Sequence, residues 1–440
     1  MTTTANPSFD PKRDIADVAV TGAGGAGLLA GIAAARSGAR TVVYERMKTP
    51  GKKIAISGGG RCNFTNTLEA REFVRKFGDK NAGMLGHALR AFSKDDLIAM
   101  LAAYGIEGQV ERDYRLYTKS GRGTDVVRAL VSELEKAGGA LVQNARIVSL
   151  RRDAESFVLE GKFADFDEQR RAKAVVVCTG GLSYPGTGST GDGYDWARSF
   201  GHQVTELRAA LVGLAVQESW PRTIQGLAWP DAEVSLWSIP TGSKPLCTER
   251  AEILYTHFGI SGPAILDVSN VFVASKLPKA LLTIDYFPDL KREDLDKQLL
   301  ERARQFPQRT LARALDGMMP ARLLEFLEAN LGADGKLVMC RLPKTARAKT
   351  LDLLKKTRLT VTGTRGMEYG EVTAGGIEWS GVDPATLESK LSPALFFAGE
   401  ILDLTGRCGG FNLQAAFSTG YLAGLKAAEK SKSAGGSGAR

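Results

Sequence analysis

Between Asp17 and Met47 the chain reads DVAVTGAGGAGLLAGIAAARSGARTVVYERM, and the spacing of its apolar positions changes along the way. A short β-branched run, Val18 to Val20, gives way to glycines and then to an alanine- and leucine-rich stretch of helical texture. A second β-branched run, Thr41 to Tyr44, ends at Glu45. The pattern predicts strand, helix and strand. Farther on, AKAVVVCTGG (Ala172 to Gly181) is apolar without alternation, as a buried parallel strand should be, and stops in a glycine turn. ALFFAGEILDL (Ala394 to Leu404) reads as another such strand, and CGGFNLQAAFSTGYLAGLKAA then reads as a loop feeding a last helix. Strands from both ends of the chain are thus expected in one sheet. The texture between them differs, with strand-like AEVSLWSI and AEILYTHF followed by the helical, basic EDLDKQLLERARQF and ARLLEFLEANL. This is the pattern of an insertion into an α/β domain. The tail EKSKSAGGSGAR is of low complexity and reads as a flexible end.

Composition narrows the class. A chain of 440 residues exceeds one core, so two or three domains are expected, and 43% hydrophobic with 24% charged residues is an ordinary soluble balance. The opening MTTTANPSFDPKRD lacks the apolar core of a signal peptide, and no run of 18 apolar residues occurs. A cytoplasmic protein without a membrane partner is expected. Five scattered cysteines without a CxxC pair, and three histidines without ligand spacing, point to reduced thiols and to no metal site. The net charge of +9 comes from clusters such as RRDAE, EQRRAK, KTARAK and LKKTR, which carboxylates dilute. That reads as a solvated surface, with an acidic partner as the alternative.

The glycines after the first strand carry chemistry. Gly22, Gly24 and Gly27, with Ala23, Gly25 and Ala26 between them, have the GxGxxG spacing. The first permits a tight turn, the second lets a pyrophosphate approach the backbone, and the third lets helix and strand pack closely. The phosphates meet the positive end of the helix. Glu45, 23 residues after Gly22, stands where an acid accepts hydrogen bonds from the adenosine ribose. Gly186, Gly188 and Gly191 repeat the spacing, but Pro185 precedes them and no strand runs into the turn, so a single nucleotide domain is expected.

Taken in order, this βαβ unit, GKKIAISGGGRCNFTN, TGGLSYPGTGSTGDGY, THFGISGPAIL, TVTGTRGMEYGEVTAGGI and FFAGEILDLTGRCGGFNLQAAFSTGYLAG resemble the signatures of the YhiN/BaiN-type, aminoacetone-oxidase-like flavoproteins. The resemblance covers nearly the whole chain. It implies an FAD-binding Rossmann-type domain of the two-dinucleotide-binding, glutathione-reductase-like kind, with an inserted β-barrel-like segment and a helical segment. The corresponding bounds are 14–204 and 366–430 for the FAD domain, 205–285 and 346–365 for the β-rich insertion, 286–345 for the helical one and 431–440 for the tail. The resemblance implies FAD as cofactor and NAD(P)H as a transient electron donor. Activities attributed to the family are reduction of conjugated double bonds in bile-acid intermediates, oxidation of aminoacetone, and reduction of a uridine in ribosomal RNA to dihydrouridine.

The resemblance also places residues on the cofactor. In SGGGRCN, bare backbone at Ser57, Gly59 and Gly60 is expected along the flavin, where side chains would block approach. Arg61 is expected to pair with phosphate or with negative charge on the reduced ring, and Asn63 to bond a ring edge. Arg46, Lys53, Thr179, Gly180, Gly181 and Gly399 join this set, and Glu400 is expected on a ribityl hydroxyl. Gly409, Gly410, Phe411, Asn412 and Leu413 open the last helix, whose positive end would favour negative charge on the reduced ring. Reduction of an activated double bond also needs a proton donor, for which Cys62, Cys408, Tyr184 and His257 are candidates. The expected function is an NAD(P)H-fed, FAD-dependent reductase of a small unsaturated or uracil-type substrate. The alternatives are a ribosomal RNA uridine reductase, an amine oxidase and a non-enzymatic, flavin-bearing RNA-binding protein. KREDLDKQLLERARQF and RLPKTARAKTLDLLKKTR motivate an RNA partner by concentrating Lys and Arg.

Overall fold

The structure is a computed structural model and describes residues 9–10, 13–78, 82–111, 114–154, 156–164, 166–240, 242–330 and 338–433. It divides into two compact units, Met1–Arg208 with Glu371–Arg440, and Ala209–Gly370. The helical segment shares the second unit with the β-rich one.

In the first unit, the strand Ala16–Thr21 pairs in parallel with Thr41–Tyr44 on one side and with the long strand Phe166–Val177 on the other. Ala140–Val142 extends the sheet beyond Thr41–Tyr44, also in parallel. Leu395–Phe397 pairs in parallel with Val175 to Val177. Ser156–Phe163 and Ala145–Asp153 complete the sheet as an antiparallel meander. The apolar run at 394–404 suggests a longer strand than the structure has. The ladder stops at Phe397, because Gly399 turns at φ 81° into a short 3-10 helix, Gly399–Ile401.

The first helix, Gly25–Arg36, is buried from Ala26 through Ala35. Its uniform apolarity, with no polar stripe, follows from being covered on opposite sides. One side faces the sheet, where an added Cβ at Gly27 would fall on the Gly22 carbonyl. The other faces the final helix, Phe411–Ser433, through Gly420 and Gly424, one turn apart; added Cβ atoms there would fall on the carbonyls of Ala26 and Ala30. The final helix runs past 431, where a flexible tail is expected to start, to Ser433; the rest of that tail, 434–440, lies outside the described residues.

The second unit holds a closed six-stranded barrel in the order Leu214–Val216, Gly259–Ser261, Cys247–Thr256, Ala228–Trp237, Ala280–Asp285 and Thr357–Thr364. Helices Arg292–Gln305, Ala321–Asn330 and Lys344–Lys356 lie between its last two strands in sequence. The β-rich return is expected over 346–365. Its first half is helix instead, since Ala346, Thr350, Leu351 and Leu354 recur at helical spacing and are buried together. Among the described residues, no helix is long and apolar enough to cross a membrane.

The close packing of the first and last helices yields a test. Gly420→Val forces a branched side chain onto the Ala26 backbone and is expected to destabilise by about 3 kcal/mol or more. Thermal unfolding should show a midpoint several degrees lower, while Gly83→Ala, whose added Cβ meets nothing within 4 Å, should leave it near the parent value.

Candidate functional site

Parallel pairing puts the carboxyl ends of four strands, at Thr21, Tyr44, Val177 and Phe397, along one edge of the sheet. In open α/β sheets this edge is where ligands bind. Each strand there runs into a loop carrying residues singled out from the sequence.

After Thr21, Gly22 turns at φ 95°, and the first helix begins behind Gly24 with no side chain capping it. A Cβ on Gly24 would meet nothing within 4 Å, so open space lies in front of the uncapped helix end. An anion fits there, drawn by free N–H groups and the helix dipole. After Tyr44, Glu45 is buried and accepts from Ala23 N (2.8 Å) and Met47 N (2.8 Å). Burial raises its pKa, against the lowering pull of those two backbone donors, Arg46 and Lys52. The carboxylate thus clamps the glycine turn. Arg46 pairs with Asp192 (3.1 Å) and with Thr190.

After Val177, the chain turns through Thr179, Gly180 at φ 74°, and Gly181. Thr179 Oγ1 is buried and has no hydrogen-bond partner among the described residues. After Phe397, Glu400 gathers the edge together. It accepts from Lys53 Nζ (2.8 Å), Ser183 Oγ (3.1 Å) and Thr373 N (2.9 Å). Thr373 Oγ1 in turn accepts from the backbone of Leu182 (2.8 Å) and Ser183 (2.9 Å). The resemblance implies that Glu400 meets a ribityl hydroxyl. In the structure it organises the loops, with Lys53 and Glu400 side chains only 24% and 17% exposed. Ser183 and Thr373 escape a reading of the sequence, because no spacing ties them to a glutamate so far along the chain.

SGGGRCNFTN does not remain a loop throughout. Ser57 Oγ donates to Ile54 O (2.9 Å), and Gly58, Gly59 and Gly60 all take positive φ. Asn63–Asn66 then forms a strand paired with Arg115–Thr118. Added Cβ atoms at Gly59 and Gly60 meet nothing within 4 Å, so bare backbone there faces open space. Arg61 departs from expectation: it pairs with Glu111 (2.7 Å) and lies over the Tyr117 ring at 4.3 Å, a half-exposed surface ion pair. Asn63 is committed to backbone, its amide donating to Thr65 O (2.8 Å) and Leu116 O (3.2 Å) and accepting from Gly410 N (3.1 Å).

At the last helix, Gly409 and Gly410 both have positive φ, and Phe411 is fully buried against Phe73, Phe77 and Tyr114. Asn412 serves the loop itself, bonding both ways with the Gly406 backbone (2.8 and 3.1 Å), and Leu413 is half-buried. The four proton-donor candidates separate. Cys62 is fully buried at φ 56°, and burial pushes its thiol up to about 12, so it stays protonated. Cys408 is half-buried just before Gly409, and Tyr184 is 40% exposed at φ 53°. His257 belongs to the barrel unit, where it is exposed and edge-on to Phe258 (5.2 Å).

A glycine turn, an uncapped helix end, a buried acid at the second strand and a parallel sheet define a dinucleotide-binding protein of Rossmann type. The model of the HI0933-like protein Rossmann domain matches residues 16–426, and the chain belongs to that family of FAD-binding, YhiN/BaiN-type oxidoreductases. It is 31% identical over 406 residues to the ribosomal RNA dihydrouridine synthase of Escherichia coli K12, covering 92% of this chain and 96% of that one. It is 30% identical over 418 residues to the 3-dehydro-bile acid delta(4,6)-reductase of Clostridium scindens, covering 94% and 99%. Among solved structures, an E. coli quinol fumarate reductase FrdA variant superposes with a TM-score of 0.51 at 17% identity, over 96% of this chain and 71% of that one, a likeness of fold.

The residues present fit FAD: the Gly24 opening would take the pyrophosphate, Glu45 would hold the ribose, and the bare backbone at Gly59 and Gly60 would lie along the flavin. Gly24→Asp is expected to abolish flavin binding, because it puts a carboxylate where the phosphates belong. The visible flavin absorbance per protein should vanish, while the far-UV spectrum is kept because the added side chain meets no protein atom at its Cβ. Retention of full flavin would relocate the phosphate site. Alkylation gives a second test: at mildly alkaline pH iodoacetamide should modify exposed Cys340 and leave buried Cys62 and Cys178 untouched, as peptide mass spectrometry would read.

Proposed function

We propose that the protein uses electrons from NAD(P)H to reduce a carbon–carbon double bond conjugated to a carbonyl, in a small enone or in a uracil ring. One observation carries the reading. Two relatives that align over nearly their full lengths, at 31% and 30% identity, have names that specify different substrates but one chemistry. The uracil double bond reduced in forming dihydrouridine, and the 4,6 double bonds of a 3-keto bile acid, are all conjugated to a carbonyl. Hydride therefore adds to a carbon of the conjugated system that the carbonyl makes electrophilic, and a proton completes the saturated product.

When bound, FAD supplies the two-electron relay between pyridine nucleotide and acceptor. The chain's own residues do the holding. The glycine turn and the first helix bind the pyrophosphate, Glu45 orients the ribose, and Glu400 with Lys53, Ser183 and Thr373 fixes the loops around the ring. The dipole of the final helix opposes the cost of negative charge near its start. One glycine fingerprint serves FAD, so NAD(P)H binds transiently and leaves before the acceptor enters.

Anaerobic rapid mixing tests the reading. NADH or NADPH should bleach the flavin, and the reduced enzyme should then be reoxidised faster by a 4,6-dien-3-one bile acid or by a uridine-containing RNA than by air. Fast reoxidation by oxygen with peroxide formation on aminoacetone, and none by either conjugated acceptor, would replace this reading with an amine oxidase.

A further inference from the structure

In the barrel unit, the turn after the strand Cys247–Thr256 and the chain leaving the strand Thr357–Thr364 meet around one guanidinium. Arg365 Cζ lies 3.4 Å from the centre of the Tyr369 ring and 4.5 Å from that of Phe258. At 3.4 Å the approach to Tyr369 is face-on, because a guanidinium aiming an N–H bond at the ring would hold its carbon farther off. The guanidinium plane therefore lies along the ring. Its N–H groups point outward around the rim.

The backbone fixes this pose. Arg365 N donates to Gly213 O (3.2 Å), and Gly213 lies against Phe258, where an added Cβ would come within 2.6 Å of the ring. Gly366 turns at φ 82° with its N–H on Thr364 Oγ1 (3.2 Å), and Tyr369 N closes the turn on Gly366 O (3.2 Å). Tyr369 is thereby brought back over the side chain of Arg365.

What the guanidinium lacks is an acceptor. Arg365 is half-buried, yet among the described residues no hydrogen bond or ion pair engages its guanidinium, and Glu368, the acid on the same turn, is exposed and does not pair with it. Charged donors without acceptors are costly where water is partly excluded. A structural stack explains the two ring contacts but not the rim of unused donors. Two parallel N–H groups on one edge match two oxygens of a carboxylate or a phosphate, and an arginine already held flat has little rotamer freedom left to lose on binding. The rings supply the other half of the recognition. Tyr369 is 45% exposed, so an anion with a flat apolar body can lay that body against the open part of the ring while its oxygens meet the guanidinium.

We propose that Arg365, with Tyr369 and Phe258, forms a binding site on the barrel unit for an organic oxyanion, a carboxylate or phosphate carried by a flat apolar body. Its residues are separate from those around the glycine turn and Glu400, and its occupancy does not depend on the reductase reading.

The test titrates the full-length holoenzyme calorimetrically with 2-naphthoate and 2-naphthyl phosphate, with neutral 2-naphthamide and body-less acetate as controls. At least one naphthyl anion is expected to bind saturably, with both controls about 10-fold weaker or more. The tighter of the two anions identifies the oxyanion as carboxylate or phosphate. Arg365→Met keeps an unbranched apolar chain over Tyr369 and removes every N–H, and it should weaken the preferred anion about 10- to 100-fold. Arg365→Lys keeps the charge without the fork and should fall between Arg365→Met and the parent. Flavin content and the thermal midpoint of both variants should match the parent, showing that the fold is intact. Binding of 2-naphthamide or acetate as tight as that of the naphthyl anions would overturn the proposal. So would equal affinity of Arg365→Met and the parent, or no saturable binding of either naphthyl anion up to about 10 mM.

Discussion

The first unit depends on one close approach: the helix Gly25–Arg36 is held at backbone distance on both sides, by the glycine turn before it and by Gly420 and Gly424 of the final helix. Helices packed through ordinary side chains stay about 8–10 Å apart, and glycine removes that spacer. The consequence reaches the far end of the sequence. Because the final helix lies against the first, the loop that starts it is delivered to the same unit as the glycine turn, and Thr419 on that helix accepts from Gly399 N (3.0 Å), beside the Glu400 that ties the edge loops together.

A second constraint follows from this one. Loops that converge on a sheet edge must be fixed without filling the space a cofactor needs, and charge at the edge must be balanced within a partly buried setting. Glu400 meets both demands by accepting from three groups on three segments, one of them the Lys53 ammonium. Removing either ion would leave the other poorly solvated, a costlier state than never having built the pair. Glu45 repeats the arrangement in miniature, since its carboxylate is buried but accepts from two backbone N–H groups. Acids that sequence reading gives to the cofactor alone therefore also hold the protein's own backbone.

Legibility follows the range of the interaction. The strand at 16–21, the helix after it and the strand at 41–44 are readable because the signals, apolar rhythm and glycine spacing, lie within about thirty residues. The barrel strands at 228–237 and 247–256 announce themselves in the same way. The helix at 344–356 has a helical, basic texture in the sequence, and it is the domain bound taken from the resemblance, 346–365 for the β-rich return, that cuts across it. At the site, Gly22, Gly24 and Glu45 are legible from local spacing. The engagement of Arg61 by Glu111, of Asn63 by the Gly410 backbone, and of Glu400 by Thr373 is not, since partners 50, 347 and 27 residues away leave no periodic trace.

The two units differ in how freely their sequences can vary. The sheet edge is tightly specified: a Cβ at Gly27, Gly410 or Gly424 collides with backbone, so those positions admit little change. The outer face of the helix at 344–356 has no such restriction, because its lysines project from a helix whose packing is settled by four inward residues. Substituting them alters charge and leaves the core alone. Backbone contacts thus restrict substitution in the first unit, whereas the charged face of that helix is free to vary.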